Sequence, residues 1–394
     1  MSILPHDVID LIADTCSDDI STLKSISLVS SAWLISTRTH LFNTVSLQVH
    51  RIDELLEIAH QPKSTLTRFV KRMEIDGVAF RYEPSCGDLG SIRQLGAILP
   101  CVSALRLSNL DLEDIAVQFA DAIHMAFPGV VELELEGMTF TFVTHAITLL
   151  CRFRSLERVT MQNLAWMDPA QSEADASTVP ASKFPSTLVE MKLDACYKRD
   201  IMACLLSQNP LPTIQKLDLG LVSPEDCQSY GEYLKRLGPD LSSLAMEFRS
   251  LDPGGDAEDF FNACDLSYNT RLRSISFRRV IFDWEYRLTS PMSWIAKTLS
   301  QISSSQFETP IFGIHLSDLN VDIDRESLHD WQSLDTGIVE MHRRLPAFQS
   351  AVFEMHLLSD VSETIPLHAS KIFLDSLLPL SGSQNILEPR NLTV

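Results

Sequence analysis

Nowhere in the 394 residues does an apolar run approach the ~18 residues that a membrane-spanning helix requires, so no membrane partner is expected. The N-terminus carries His6 and Asp7 with no basic lead, which is not the make-up of a secretory leader. Glycine is scarce, at 14 residues, and none of the glycine-built loops that cradle phosphates or seat a nucleophile is present. G-x-G-x-x-G, G-x-x-x-x-G-K-[ST], G-x-S-x-G and H-E-x-x-H are all missing. Eight cysteines are scattered without a C-x-x-C pair, and the eleven histidines do not cluster with Cys or Asp at ligand spacings, so neither metal nor cofactor is expected. Without a leader the cysteines read as reduced thiols, the compartment as intracellular (cytoplasm or nucleus), and the Asn391–Thr393 sequon as chance. Basic residues are few: 32 against 52 acidic, a net charge of -20, which excludes the basic face that nucleic acid needs and favours basic partners. One S-x-x-K, Ser21 to Lys24, follows Asp18-Asp19 on a helical pattern, where helix capping explains it better than catalysis. The chain reads as a binding protein rather than an enzyme.

What is present begins with helices. From Pro5 to about Thr15, Val8, Ile9, Leu11 and Ile12 put apolar positions on more than one side, so this helix must touch a core and something else. Pro5 suits the first helical turn and Asp7 complements the positive end of the helix dipole. After a break at Ser17-Asp18-Asp19, Leu23, Ile26 and Val29 mark a second short helix, and Trp33 to Leu41 a third. So small a unit buries little, and an apolar surplus on it marks a partner surface.

"LPHDVIDLIADT" followed by "LVSSAW" resembles an F-box, whose pattern is a Leu-Pro opening, an apolar helix, a Leu-rich turn and helix, and a V-x-x-x-W step. The matching residues are Leu4, Pro5, Val8, Ile9, Leu11, Ile12, Leu23, Val29 and Trp33, and with the following "SLQV" they are similar to F-boxes of mushroom-forming fungi. Asp7 stands where the family usually has Glu, and Ser30, Ser31 and Ala32 replace its Cys or basic residues. The resemblance covers residues 3 to about 45, roughly a tenth of the chain. It implies docking to the Skp adaptor, and through it to a cullin, by Leu4, Pro5, Val8, Ile9, Ile12, Leu23, Val29 and Trp33, with Trp33 shared between the module's core and its docking edge.

The remainder repeats one pattern, L-x-x-L-x-L-x-x-L. It is plain in "VSALRLSNL", "VVELELEGM", "LERVTMQNL", "LVEMKLDAC", "IQKLDLGLV", "LRSISFRRV" and "IFGIHLSDL", and looser in "VKRMEIDGV", "LSSLAMEFR" and "FQSAVFEMH". Its third apolar position falls at Ile75, Leu107, Leu135, Met161, Leu193, Leu219, Met246, Phe277, Leu316 and Phe353. The L-x-L core alternates with period two, as a strand with one buried face does, and the segments between copies have helical spacing. The expected fold class is therefore α/β: a three-helix N-terminal module (1–45), then a leucine-rich-repeat-like solenoid (46–394) with a curved parallel sheet and outer helices. Ordinary α/β architecture is the alternative. Polar residues 167–183 read as a loop inserted between copies, and 381–394 as a tail that is partly disordered or caps the last copy.

In a parallel sheet like positions lie about 4.8 Å apart. Glu132 should then face Arg158, Glu134 face Arg106, Glu190 face Lys216, and Lys192 face Asp218, a self-neutralised surface. Glu136, between Ser108 and Gln162, is expected to lack a cation, and Arg278 to lie between Glu247 or Arg249 and Ser317. As a protein-substrate surface this face would use Arg106, Glu134, Glu136, Lys192, Asp218, Arg278 and His315. Three functions fit: substrate recognition for a Skp–cullin–F-box ubiquitin ligase, a scaffold with no ubiquitin role, or a hydrolase whose catalytic groups converge from distant segments.

Overall fold

A computed structural model describes residues 4–61, 66–77, 86–113, 115–166, 183–248, 255–282, 291–316, 325–357 and 366–390. Most of the expected loop 167–183, together with Arg249, Ser317 and the last four residues, lies outside this set. The fold is α/β and divides into two compact units, Met1–Leu188 and Val189–Val394.

The first unit opens with helices α1 (His6–Thr15), α2 (Ile20–Ile26) and α3 (Ser31–Leu41). Pro5 is the N-cap of α1, one place before the expected first turn. Asp19 caps α2, its carboxylate accepting from Ser21 N and Thr22 N at 3.0 Å each, so the Ser21–Lys24 spacing belongs to a capped helix start. Two polar rungs tie α1 to α3. Ser36 Oγ donates to Asp10 Oδ1 at 2.5 Å, and His40 Nε2 lies 2.9 Å from Asp14 Oδ1. Strand β1 (Thr44–Gln48) and helix α4 (Ile52–Ala59) follow. Then β2 (Arg72–Asp76), α5 (Cys86–Ile98), β3 (Ala104–Ser108), α6 (Ala116–Ala126) and β4 (Glu132–Glu136) alternate. The unit continues through β5 (Thr139–Phe140), α7 (Val143–Arg152), β6 (Arg158–Gln162) and β7 (Ala165–Trp166). β1, β2, β3, β4 and β6 lie side by side in that order, all parallel, while β5 pairs with β7.

The second unit has the same grammar. β8 (Glu190–Asp194), α8 (Lys198–Leu206), β9 (Lys216–Leu221), α9 (Cys227–Leu237), β10 (Ser243–Glu247) and α10 (Gly255–Ala263) lead into β11 (Ser274–Phe282). α11 (Met292–Ser300), β12 (Thr309–Leu316), α12 (Arg325–Arg344), β13 (Ala351–Leu357), α13 (Leu367–Leu377), α14 (Pro379–Ser383) and β14 (Leu387–Arg390) complete it. Its strands are parallel in the order β8 to β14. The expected tail is thus structured to Arg390, and its strand covers β13.

All ten expected copies are strands, and each third apolar residue is at most 1% exposed. In one copy the register differs. Phe277 and Phe353 align with Phe312 rather than Leu316, and the three rings form a ladder with centroid spacings of 5.7 and 4.8 Å. Beyond Phe277, β11 carries a bulge at Arg278-Arg279, after which Phe282 aligns with Leu316. There Gly313 is obligatory, because a Cβ would collide with the Arg278 carbonyl. Each of β3, β4, β6 and β8 is followed by a residue with positive φ, namely Asn109, Gly137, Asn163 and Ala195. That left-handed step turns the chain out of the sheet, and Asn and Gly adopt it at least cost.

Candidate functional site

Two kinds of surface stand out, one on the N-terminal helices and one on the sheets. On the helices, Ile9 and Leu23 are buried and hold the three helices together. Trp33 is half-buried, so it belongs to the edge of the module more than to its interior. Leu4, Pro5, Val8, Ile12 and Val29 are exposed as a docking surface requires. The sequence reading missed several further members. Leu28 is 86% exposed, and Ile20 and Ile35 are exposed too, as is Leu11, which the reading matched to the F-box pattern without assigning it to docking. The adjacent Leu28-Val29 pair, sitting in the turn before α3, was the signal that could have found them.

The open face of the first unit carries a continuous charge network. Arg72 Nη1 donates to Glu132 at 2.8 Å, its Nη2 to Glu134 at 2.5 Å and its Nε to Glu74 at 3.1 Å. To reach Glu132 it spans the whole of β3, and the residue beneath it there is Ala104, in register with both. Arg158 meets Glu132 at 3.0 Å and Arg106 meets Glu134 at 3.4 Å, the pairings expected from adjacency. Glu136 is not without a cation: Arg106 Nη2 reaches it diagonally, two residues along the neighbouring strand. Burial alone would raise the Glu74 pKa, but hydrogen bonds from Ser46 and Arg72 hold it below the ordinary carboxylate value. Ser46, Gln48, Arg51, Glu74, Asp76, Arg106, Ser108, Asn109 and Glu136 line a groove of ≈ 430 Å³ on this face.

In the second unit Lys216 pairs with Glu190 at 3.3 Å as expected. Lys192 lies in register with Asp218 but does not pair with it. Asp218 is taken by Arg278, which crosses β10 where that strand presents Ala245. Arg278 is therefore ion-paired rather than free, and Gly313 lies against its backbone, while Ser317 is outside the described residues. Arg279 has Glu247 at 3.8 Å. His315 stacks on His356, the rings 4.5 Å apart and 13° from parallel. Burial, His356 and Arg279 together push His315 down from 6.5 to about 4. Among the described residues no group of three or more His, Cys, Asp or Glu could hold a metal ion, and no helix is long and apolar enough to cross a membrane.

The folded chain is thus an α/β repeat protein with parallel strands, an apolar N-terminal face and ion-paired sheet faces. No protein-family model matches it, and no curated protein matches it. A solved protein of Bacteroides fragilis, a structural-genomics target, is 11% identical over 77% of this chain and 72% of its own, with a TM-score of 0.39. The Mex67:Mtr2 subunits of Chaetomium are 13% identical over 39% of this chain and 97% of theirs, with a TM-score of 0.23. Likenesses this distant carry no argument about this chain.

Proposed function

We propose that this chain is the substrate-recognition subunit of a Skp–cullin–F-box ubiquitin ligase. In this reading α1 to α3 form an F-box that docks the Skp adaptor, and the strand–helix repeats form a leucine-rich-repeat-like solenoid that holds a protein substrate. Ubiquitin transfer is the work of partner proteins. The observation that carries the proposal is the distribution of exposed apolar side chains. Leu4, Val8, Leu11, Ile12, Ile20, Leu28, Val29 and Ile35 are all exposed within the first 35 residues, which is half of the sixteen large apolar residues exposed among those described. Monomers rarely leave so dense a patch uncovered. The order Leu4-Pro5, Val8, Leu23, Val29, Trp33 in the sequence follows the F-box pattern.

The test uses purified full-length chain and purified Skp adaptor. The parent should co-elute with the adaptor. Leu28→Asp combined with Val29→Asp, both exposed and so harmless to the fold, should weaken the complex at least tenfold. Equal binding by parent and variant, or no binding by a folded parent, refutes the F-box reading. Adaptor binding without cullin-dependent loss of any substrate would favour the scaffold.

A further inference from the structure

We propose that the stacked His315–His356 pair is a pH-sensitive latch on the β12–β13 ladder, closed at neutral pH and released in acid. The two residues are register partners on adjacent parallel strands. Their flanking neighbours Ile314, Leu316 and Met355 are buried, which places both imidazoles on the open face. There the rings pack at 4.5 Å, nearly parallel, a contact that suits neutral imidazoles and penalises two cations.

Among the described residues no carboxylate lies in register with either ring. From β11 the facing groups are Arg278 and Arg279, both cationic, and their carboxylates Asp218 and Glu247 are already engaged with them. From β13 comes Glu354, in register with Gly313 rather than with His315, and on its other side with Arg390 of β14. Arg390 holds Glu388 at 2.8 Å. β12 itself adds no other charged side chain to this face among the described residues. Among the described residues a proton arriving at His315 therefore meets a second ring in register and the Arg279 guanidinium, while the nearest β13 carboxylate, Glu354, lies a row away.

The direction of the effect follows by linkage. His315 is depressed from 6.5 to about 4 in the fold, so the unfolded chain binds the proton more readily across that interval. The stability it confers is complete above pH 6.5 and is lost as the pH falls towards 4. The loosening should be local, because a solenoid-like stack of strands opens piecewise where a rung fails. This inference stands whether or not the adaptor reading holds, since it concerns the second unit alone.

Histidine-ring NMR on the full chain tests it. The His315 midpoint should fall more than one pH unit below the ordinary imidazole value of 6.5, and should move upward in His356→Gln. Amide protection factors in β12 and β13 should drop at least tenfold between pH 7 and pH 4.5, while those in β3 and β4 change by less than threefold. In the double variant His315→Gln with His356→Gln this selective drop should vanish. A His315 midpoint at the ordinary 6.5, or an acid drop that persists in a folded double variant, overturns the proposal.

Discussion

Arg72 reaches over a neighbouring strand because the residue beneath it is alanine. A guanidinium on β2 contacts Glu132 on β4 only because Ala104 leaves the intervening row low, whereas Arg278 reaches Asp218 across β10 on a diagonal, Ser276 being the residue in register with Ala245 and Asp218. Adjacency in the sequence pattern exposed Glu132–Arg158, Glu134–Arg106 and Glu190–Lys216, since those partners differ by one repeat. It could not expose the diagonal Arg106–Glu136 pair or the two-strand reaches, which depend on side-chain length and on what lies between. Arg72 touches three carboxylates, so Arg72→Ala leaves Glu74, Glu132 and Glu134 crowded together. We expect it to destabilise the first unit by about 1–2 kcal/mol, more than an isolated surface pair is worth. Urea unfolding should show that deficit shrinking in ~1 M salt, where charges are screened within about 3 Å. Arg158→Ala, which leaves Arg72 on Glu132, should cost less than half as much.

At the level of the element, what the sequence showed and what it hid separate by burial. A strand with one buried face writes L-x-L, and all ten such copies were legible. β1 and β14 were not, for a physical reason. β1 alternates between exposed and half-buried residues, so its apolar signal is faint. β14 contains Pro389, which a sheet tolerates at an edge but which argues against a strand when read alone. What fixes the C-terminal elements is a buried acid that periodicity cannot reveal. Asp335 in α12 is 1% exposed, and its two oxygens accept from Leu380 N and Ser381 N at 2.8 Å each, capping α14 from another helix. Asp335→Ala strands two backbone donors and should cost about 2 kcal/mol. Hydrogen exchange should quicken through 379–390 while β9 and β10 stay protected. Uniform loss across the second unit would mean that Asp335 supports the core and not the cap. Asp19 is a second cap with a pH signature. Its pKa is lowered to about 2, chiefly by the Thr22 hydroxyl and amide. The start of α2 should therefore hold above pH 3.8 and fray as the pH falls towards 2, read by amide exchange at Ser21 and Thr22.

For the molecule as a whole, a net charge of -20 and a repeating core pull in different directions. Self-repulsion keeps the chain dispersed, while each strand–helix copy is stabilised mainly by its neighbours and has little core of its own. Such a chain should tolerate change on one face of a strand and not on the other. β4 offers the comparison in two consecutive residues: Leu135 is fully buried between Leu107 and Met161, and Glu136 points to the open face beside Ser108 and Gln162. Leu135→Asp places a carboxylate where nothing can solvate or pair it, at a cost of several kcal/mol, a large part of the 5–15 kcal/mol that typically holds a domain together. We expect that variant to be insoluble or to melt at least 10 °C lower. Glu136→Ala removes one ion pair with Arg106 and should shift stability by less than about 1 kcal/mol. Thermal melts of the two proteins, expressed and purified together with the parent, decide the matter. Similar melting for both would show that β4 does not have one face in the core and one in solvent, and the register that assigns every open-face residue would fall with it.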